Sequence, residues 1–190
     1  MRCFGLTPDR RPAAAVSSRV YAMVFSALGF GLVSVLAYSI WAYKLVPGPA
    51  ALYTTIAAVY VGVAGLVLGR LVPGAPLRFA ALFAIGFMAY AVCWCLFWFG
   101  LKGKFQADLL GAMAGLAVLT WLLREAFGGA AKFWMLFGVL LLGHSVGYYA
   151  GDWAHAQWPG TTGRLLWGAG HGLGFGAGLG FVLRELQVRR

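Results

Sequence analysis

The sequence predicts an all-α, polytopic membrane protein: six transmembrane helices in one bundle, N-in and C-in, with a glycine-packed sixth helix. Three observations carry that prediction. The chain is 62% hydrophobic and only 11% charged, whereas a soluble domain is about 45–50% apolar and about 25% charged. Its apolar residues fall into six runs, each near the ~20 residues that a helix needs to cross the hydrocarbon layer. Its basic residues sit between those runs and are unequally shared between the two sides, the pattern of the positive-inside rule.

The runs are 20–44, 50–71, 77–100, 107–127, 132–151 and 163–183. The first follows the basic segment MRCFGLTPDRRPAAAVSSR. Its length exceeds a signal-peptide core of about 7–15 residues, so it is read as a retained span. The breaks after it carry glycine and proline turn chemistry: VPGPA, LVPGAPLR, LKGKFQ, FGGAAK and QWPGTTGR. No break exceeds a dozen residues, so residues 1–190 are expected to form a single transmembrane domain. Cys93 and Cys95 lie two apart in the third run and face different sides of a helix, as small apolar fillers. Cys3 is a lone terminal thiol, and nothing implies a disulfide framework.

Arg2, Arg10, Arg11, Arg19, Arg70, Arg78, Arg124, Lys132, Arg184, Arg189 and Arg190 fall on one side. Lys44, Lys102, Lys104 and Arg164 fall on the other. The excess puts both termini in the cytoplasm and the chain in the plasma (inner) membrane. Tryptophans mark both edges, Trp41, Trp98, Trp153 and Trp158 outside and Trp121 and Trp134 inside. A net charge of +10 suggests nucleic acid in a soluble protein, but here the charge belongs to loops. The expected partners are the lipid bilayer and a homo-oligomer or larger membrane complex, with no nucleic acid.

The sixth run contains glycine at every second position from Gly168 to Gly180. Glycine costs about 1 kcal/mol relative to alanine in an aqueous helix, but in lipid the backbone must satisfy its own hydrogen bonds and the helix is enforced. A two-residue step rotates by about 200°. Gly168, Gly172, Gly176 and Gly180 therefore form one row, and Gly170, Gly174 and Gly178 a second on the nearly opposite face. Each row lets a neighbouring backbone come close, so the sixth helix is expected to lie between two partners, within the chain or across an oligomer.

The pattern His-x-x-Gly-x-x-x-Gly occurs twice, from His144 (HSVGYYAG) and from His171 (HGLGFGAG). Folded as a hairpin about DWAHAQWPGTTG, the two imidazoles reach the same depth, about 10 Å inside the outer edge. Tyr148 and Asp152 continue a stripe from His144 at spacings of four, and His155 joins it if the fifth helix extends that far. Asp9, Asp108, Glu125, Asp152 and Glu185 are expected at or beyond the span ends. His144 and His171 are then the ionisable residues well inside the membrane, where such groups are functional candidates by default.

Three readings follow. His144, His171, Tyr148, Asp152 and His155 can line a path for a proton or a small neutral or weakly basic solute, since neutral imidazole both donates and accepts. His144 and His171 can instead ligate haem or a transition metal in a redox subunit or enzyme. Haem between them requires that the fifth and sixth helices do not touch at that depth. The third reading is a structural, accessory or lipid-binding subunit. The segment His171-x-x-Gly174-x-x-x-Gly178 in a six-span chain resembles one piece of the rhomboid intramembrane proteases. That family's Gly-x-Ser-Gly nucleophile motif has no counterpart on the fourth run, and Ser145 lies on the fifth. No family or catalytic residue is assigned.

Overall fold

Six helices long and apolar enough to cross a membrane make up the computed structural model, which describes residue 6 and residues 17–188. Cys3, Asp9, Arg2, Arg10, Arg11, Arg189 and Arg190 lie outside the described residues. Helix α1 is Arg19–Ala42, capped by the Ser18 side chain, which accepts from the Tyr21 amide at 3.1 Å. Helix α2 is Gly48–Gly69, interrupted by a π-helical turn at Tyr60–Ala64. Helix α3, Pro76–Gly100, opens on a proline at its first position, where no amide hydrogen bond is lost. Helices α4, α5 and α6 are Ala107–Ala126, Phe133–Gln157 and Thr161–Gln187. Asp108 in the first turn of α4 and Arg124 in its last suit the helix dipole. Successive helices run antiparallel, so α1 begins and α6 ends at one end of the bundle, the terminal end. The α1–α2, α3–α4 and α5–α6 loops lie at the other, the far end.

Helix α6 packs along α1 on one side and α5 on the other; α3 packs on α4, and α5 touches α4 more lightly. The glycines explain how close α6 comes. A methyl group at Gly172 would meet Gly31 Cα at 2.8 Å, and one at Gly168 would meet Tyr38 Cβ at 2.7 Å, both on α1. On the other row a methyl at Gly174 would meet Gly147 Cα at 2.7 Å, and one at Gly170 would meet Gly151 Cα at 3.1 Å, both on α5. Backbone therefore lies against backbone on both flanks of α6.

Two ends differ from the expected boundaries. Helix α5 continues past Gly151 to Gln157, so the α5–α6 connection is three residues rather than a long loop. Gly160 makes that turn with a φ of 90°, a conformation glycine adopts freely, and Gly163 faces the Trp158 carbonyl too closely for any side chain. Helix α6 continues to Gln187 and carries Glu185 with it. The sequence placed that carboxylate at or beyond a span end; it is 5% exposed within the helix. Arg19 and Arg184 bond it at 3.0 Å and 3.1 Å, and such pairing offsets the cost of burying the charge.

Candidate functional site

The far half of the bundle holds a cavity of about 380 Å³ between α1, α2, α3, α5 and α6. Its walls are aromatic: Tyr38 and Trp41 of α1, Tyr53 and Tyr60 of α2, Phe87, Tyr90, Trp94 and Trp98 of α3, Tyr148 of α5 and Trp167 of α6. Leu52, Ile56, Ala57, Ala91 and Cys95 complete the apolar lining, and His171 contributes the imidazole. Trp41 and Trp98, expected in the interfacial belt, thus face the cavity as well. Trp121, Trp134, Trp153 and Trp158 are exposed. Cys93 and Cys95 are free thiols.

His171 is 6% exposed, and neither of its ring nitrogens has a hydrogen-bond partner. Buried polar atoms are almost always paired, because leaving one unpaired costs about 1–3 kcal/mol. His144 is 3% exposed and lies against His171 edge to face, with ring centroids 5.0 Å apart. Its Nε2 pairs with the Tyr90 hydroxyl at 2.8 Å, while its Nδ1 has no partner. Tyr148 stacks on His144 at 5.9 Å and meets His171 edge-on at 5.8 Å. Two residues of the expected stripe, His144 and Tyr148, are therefore brought together with His171 of α6.

Asp152 and His155 are not part of that group. Asp152 is exposed near the far end of α5. His155 stacks on Trp167 at 5.4 Å and meets Trp41 at 5.5 Å. Both of those rings line the cavity, so they stand between His155 and its interior. Depth along α5 is the cause: Asp152 and His155 lie about two and three turns past His144, towards the far end. Arg164 closes this end, its guanidinium 4.8 Å from the Trp41 ring and bonded to the Trp41 carbonyl at 3.2 Å.

Tyr38, Tyr60 and Tyr90 are not among the residues that the sequence singles out. Tyr60 sits at the start of the π turn, shares a 2.6 Å hydrogen bond with Ser34 and stacks on Phe87 at 4.9 Å. Such turns are rare and often accompany functional sites. Tyr38, Tyr60 and Tyr90 lie within the runs rather than at their ends, and a polar-tipped aromatic at that depth is the signal that points to them. One turn of α6 towards the terminal end from His171, Phe175 packs with Phe30 at 5.0 Å and with Phe87 at 6.4 Å. With Phe83, 6.4 Å from Phe30, these rings form a buried layer that closes the cavity floor.

Haem held between His144 and His171 does not fit this geometry. A macrocycle between two axial imidazoles holds their helices apart, whereas α5 and α6 touch through Gly147, Gly170 and Gly174 at this depth. A zinc-like site needs about four ligands, or three with an open position. No group of three or more His, Cys, Asp or Glu side chains suited to a metal occurs among the described residues.

No family model, curated protein or solved structure matches the chain.

Proposed function

We propose that this multi-pass membrane protein binds a small neutral or weakly basic solute in the aromatic cavity, with His171 as its main polar contact, on a permeation path. One observation carries the reading: an imidazole lining a cavity with both ring nitrogens buried and unpaired. A neutral solute that can donate or accept one hydrogen bond relieves that cost once the ring turns one of its buried nitrogens toward the cavity. His144, set by Tyr90, and Tyr148 hold the His171 ring from two sides. Packing alone accounts for the glycine rows but leaves the idle imidazole unexplained.

With the termini cytoplasmic, as the charge bias indicates, the cavity belongs to the outer half of the membrane. The layer of Phe30, Phe83, Phe87 and Phe175 stands below it, so passage to the other side requires those rings to move. The reading is tested with 4-nitrobenzyl alcohol, a neutral quencher, and the tryptophans at the cavity wall. Saturable quenching is expected in the wild type, with Kd raised about ten-fold in His171→Ala, the value of one neutral hydrogen bond. Equal affinity in wild type and variant sinks the reading.

A further inference from the structure

We infer that the ligand is a neutral lipophile with a small hydrogen-bonding head, taken sideways from the hydrocarbon layer between α2 and α3. This rests on the reading of the cavity as a solute site, and it names the solute's class and its door.

The door comes from how α2 changes partners along its length. Its second half packs on α3, where a methyl at Gly69 would meet the Pro76 carbonyl at 2.8 Å and one at Gly65 would meet Ala80 Cα at 3.0 Å. Its first half, Gly48–Val59, has no buried residue and packs mainly on α1. The π turn lies between the two halves. Helices α2 and α3 are thus zipped at the terminal end, while at the far end their backbones part, Tyr53 reaches across to Trp94 at 6.4 Å and Phe99 at 5.7 Å, and the cavity lies between the helices. Ile56, Ala57, Ala91, Trp94 and Cys95 line it and are all partly exposed. Ala57 and Ala91 are each nine residues from the far end of their helices, about 13 Å down. At that depth the surroundings of a spanning helix are acyl chains rather than water.

The chemistry of the walls selects the head. No charged residue lines the cavity. Aromatic faces attract cations, but by less than the cost of bringing an unpaired charge to such depth. A phenol or alcohol head has no such cost, and it supplies both a donor and an acceptor to His171. Its ring or chain meets aromatic walls, and a tail longer than the cavity leaves between α2 and α3 into lipid.

The experiment uses the full chain in phosphatidylcholine nanodiscs and a 4-decylphenol carrying a diazirine in its chain. Illumination is expected to label segments 52–60 and 87–98, and excess plain 4-decylphenol is expected to suppress at least four-fifths of that labelling. Decyltrimethylammonium at equal membrane concentration is expected to suppress little of it. Labelling absent from both segments, or unmoved by excess 4-decylphenol, overturns the inference, because the probe is then only dissolved in the bilayer. Equal competition by the ammonium overturns the neutral head. If 4-nitrobenzyl alcohol still binds in a His171-dependent way while the lipophile does not, the inference fails and the solute site stands. If neither does, both fall.

Discussion

The two flanks of the histidine pair are built in opposite ways. On one flank α6 meets α1 and α5 through glycine, and backbone touches backbone. On the other, α2 and α3 meet across large aromatic rings and leave a cavity of about 380 Å³. The difference is one of tolerance. Without a hydrophobic drive between helices in lipid, close association depends on small residues that permit contact along the whole seam. Aromatic side chains hold backbones apart, and where their shapes do not interlock they leave space. The glycine seam thus sets the histidines rigidly, and the aromatic flank gives them something to face.

The largest effect is expected from breaking the seam. In Gly174→Val the new branched side chain starts 2.7 Å from Gly147 Cα and 2.9 Å from Gly147 N, so α5 and α6 must part. Severe overpacking costs more than ~3 kcal/mol. Unfolding in detergent, followed by heating or by SDS titration, is expected to show a collapse of the folded fraction, and an unchanged midpoint rejects the seam as the rigid element. Next comes the cavity floor. Phe175 is fully buried, and Phe175→Ala is expected to cost about 3 kcal/mol. The same change thins the barrier below His171. Proteoliposomes given an inward gradient of urea, a small neutral solute, are expected to re-swell several-fold faster than with the wild type, as read by light scattering. A variant that loses stability but gains no flux separates the binding site from any path.

Much of the seam is readable from residues alone, because glycine at every second position on an enforced helix leaves two rows by geometry. The meeting of His144 with His171 follows from hairpin arithmetic, as it depends only on rise per residue and on the turn between. The cavity does not follow. It arises where α2 leaves α3, and the π turn at Tyr60–Ala64 is marked by no proline or polar break in YVGVA. The positions of Asp152 and His155 relative to the cavity are not legible in the sequence for a related reason. Spacing puts them on one stripe with His144, but only the packing shows Trp167 and Trp41 standing between His155 and the cavity interior.

A smaller change probes how firmly the aromatic flank holds the pair. Tyr90→Phe removes the hydroxyl that meets His144 Nε2 at 2.8 Å and leaves the ring contacts in place. The loss is about 1 kcal/mol of stability. His144 is then free to turn, and the affinity for 4-nitrobenzyl alcohol is expected to fall two- to three-fold, less than in His171→Ala. If Tyr90→Phe weakens binding as much as His171→Ala, then the Tyr90 hydroxyl, which also lines the cavity, is a polar contact equal to His171.

The smallest effect sharpens the comparison by asking whether glycine as such matters. Gly138 lies on α5, the same helix as Gly147, but a methyl there would meet nothing within 4 Å. Gly138→Ala therefore creates no clash. It also restricts the unfolded chain slightly, which favours the helix. Its midpoint is expected to stay level or rise by less than about 0.5 kcal/mol in equivalent stability. Gly147→Ala on the same helix places its methyl 2.9 Å from Gly174 Cα and is expected to lower the midpoint clearly. The two substitutions share their chemistry, helix and solvent, and differ in what the added carbon touches. Equal effects show that the loss is one of backbone freedom, general to glycine in this chain. Unequal effects assign it to the contact between α5 and α6, the element that holds His144 against His171.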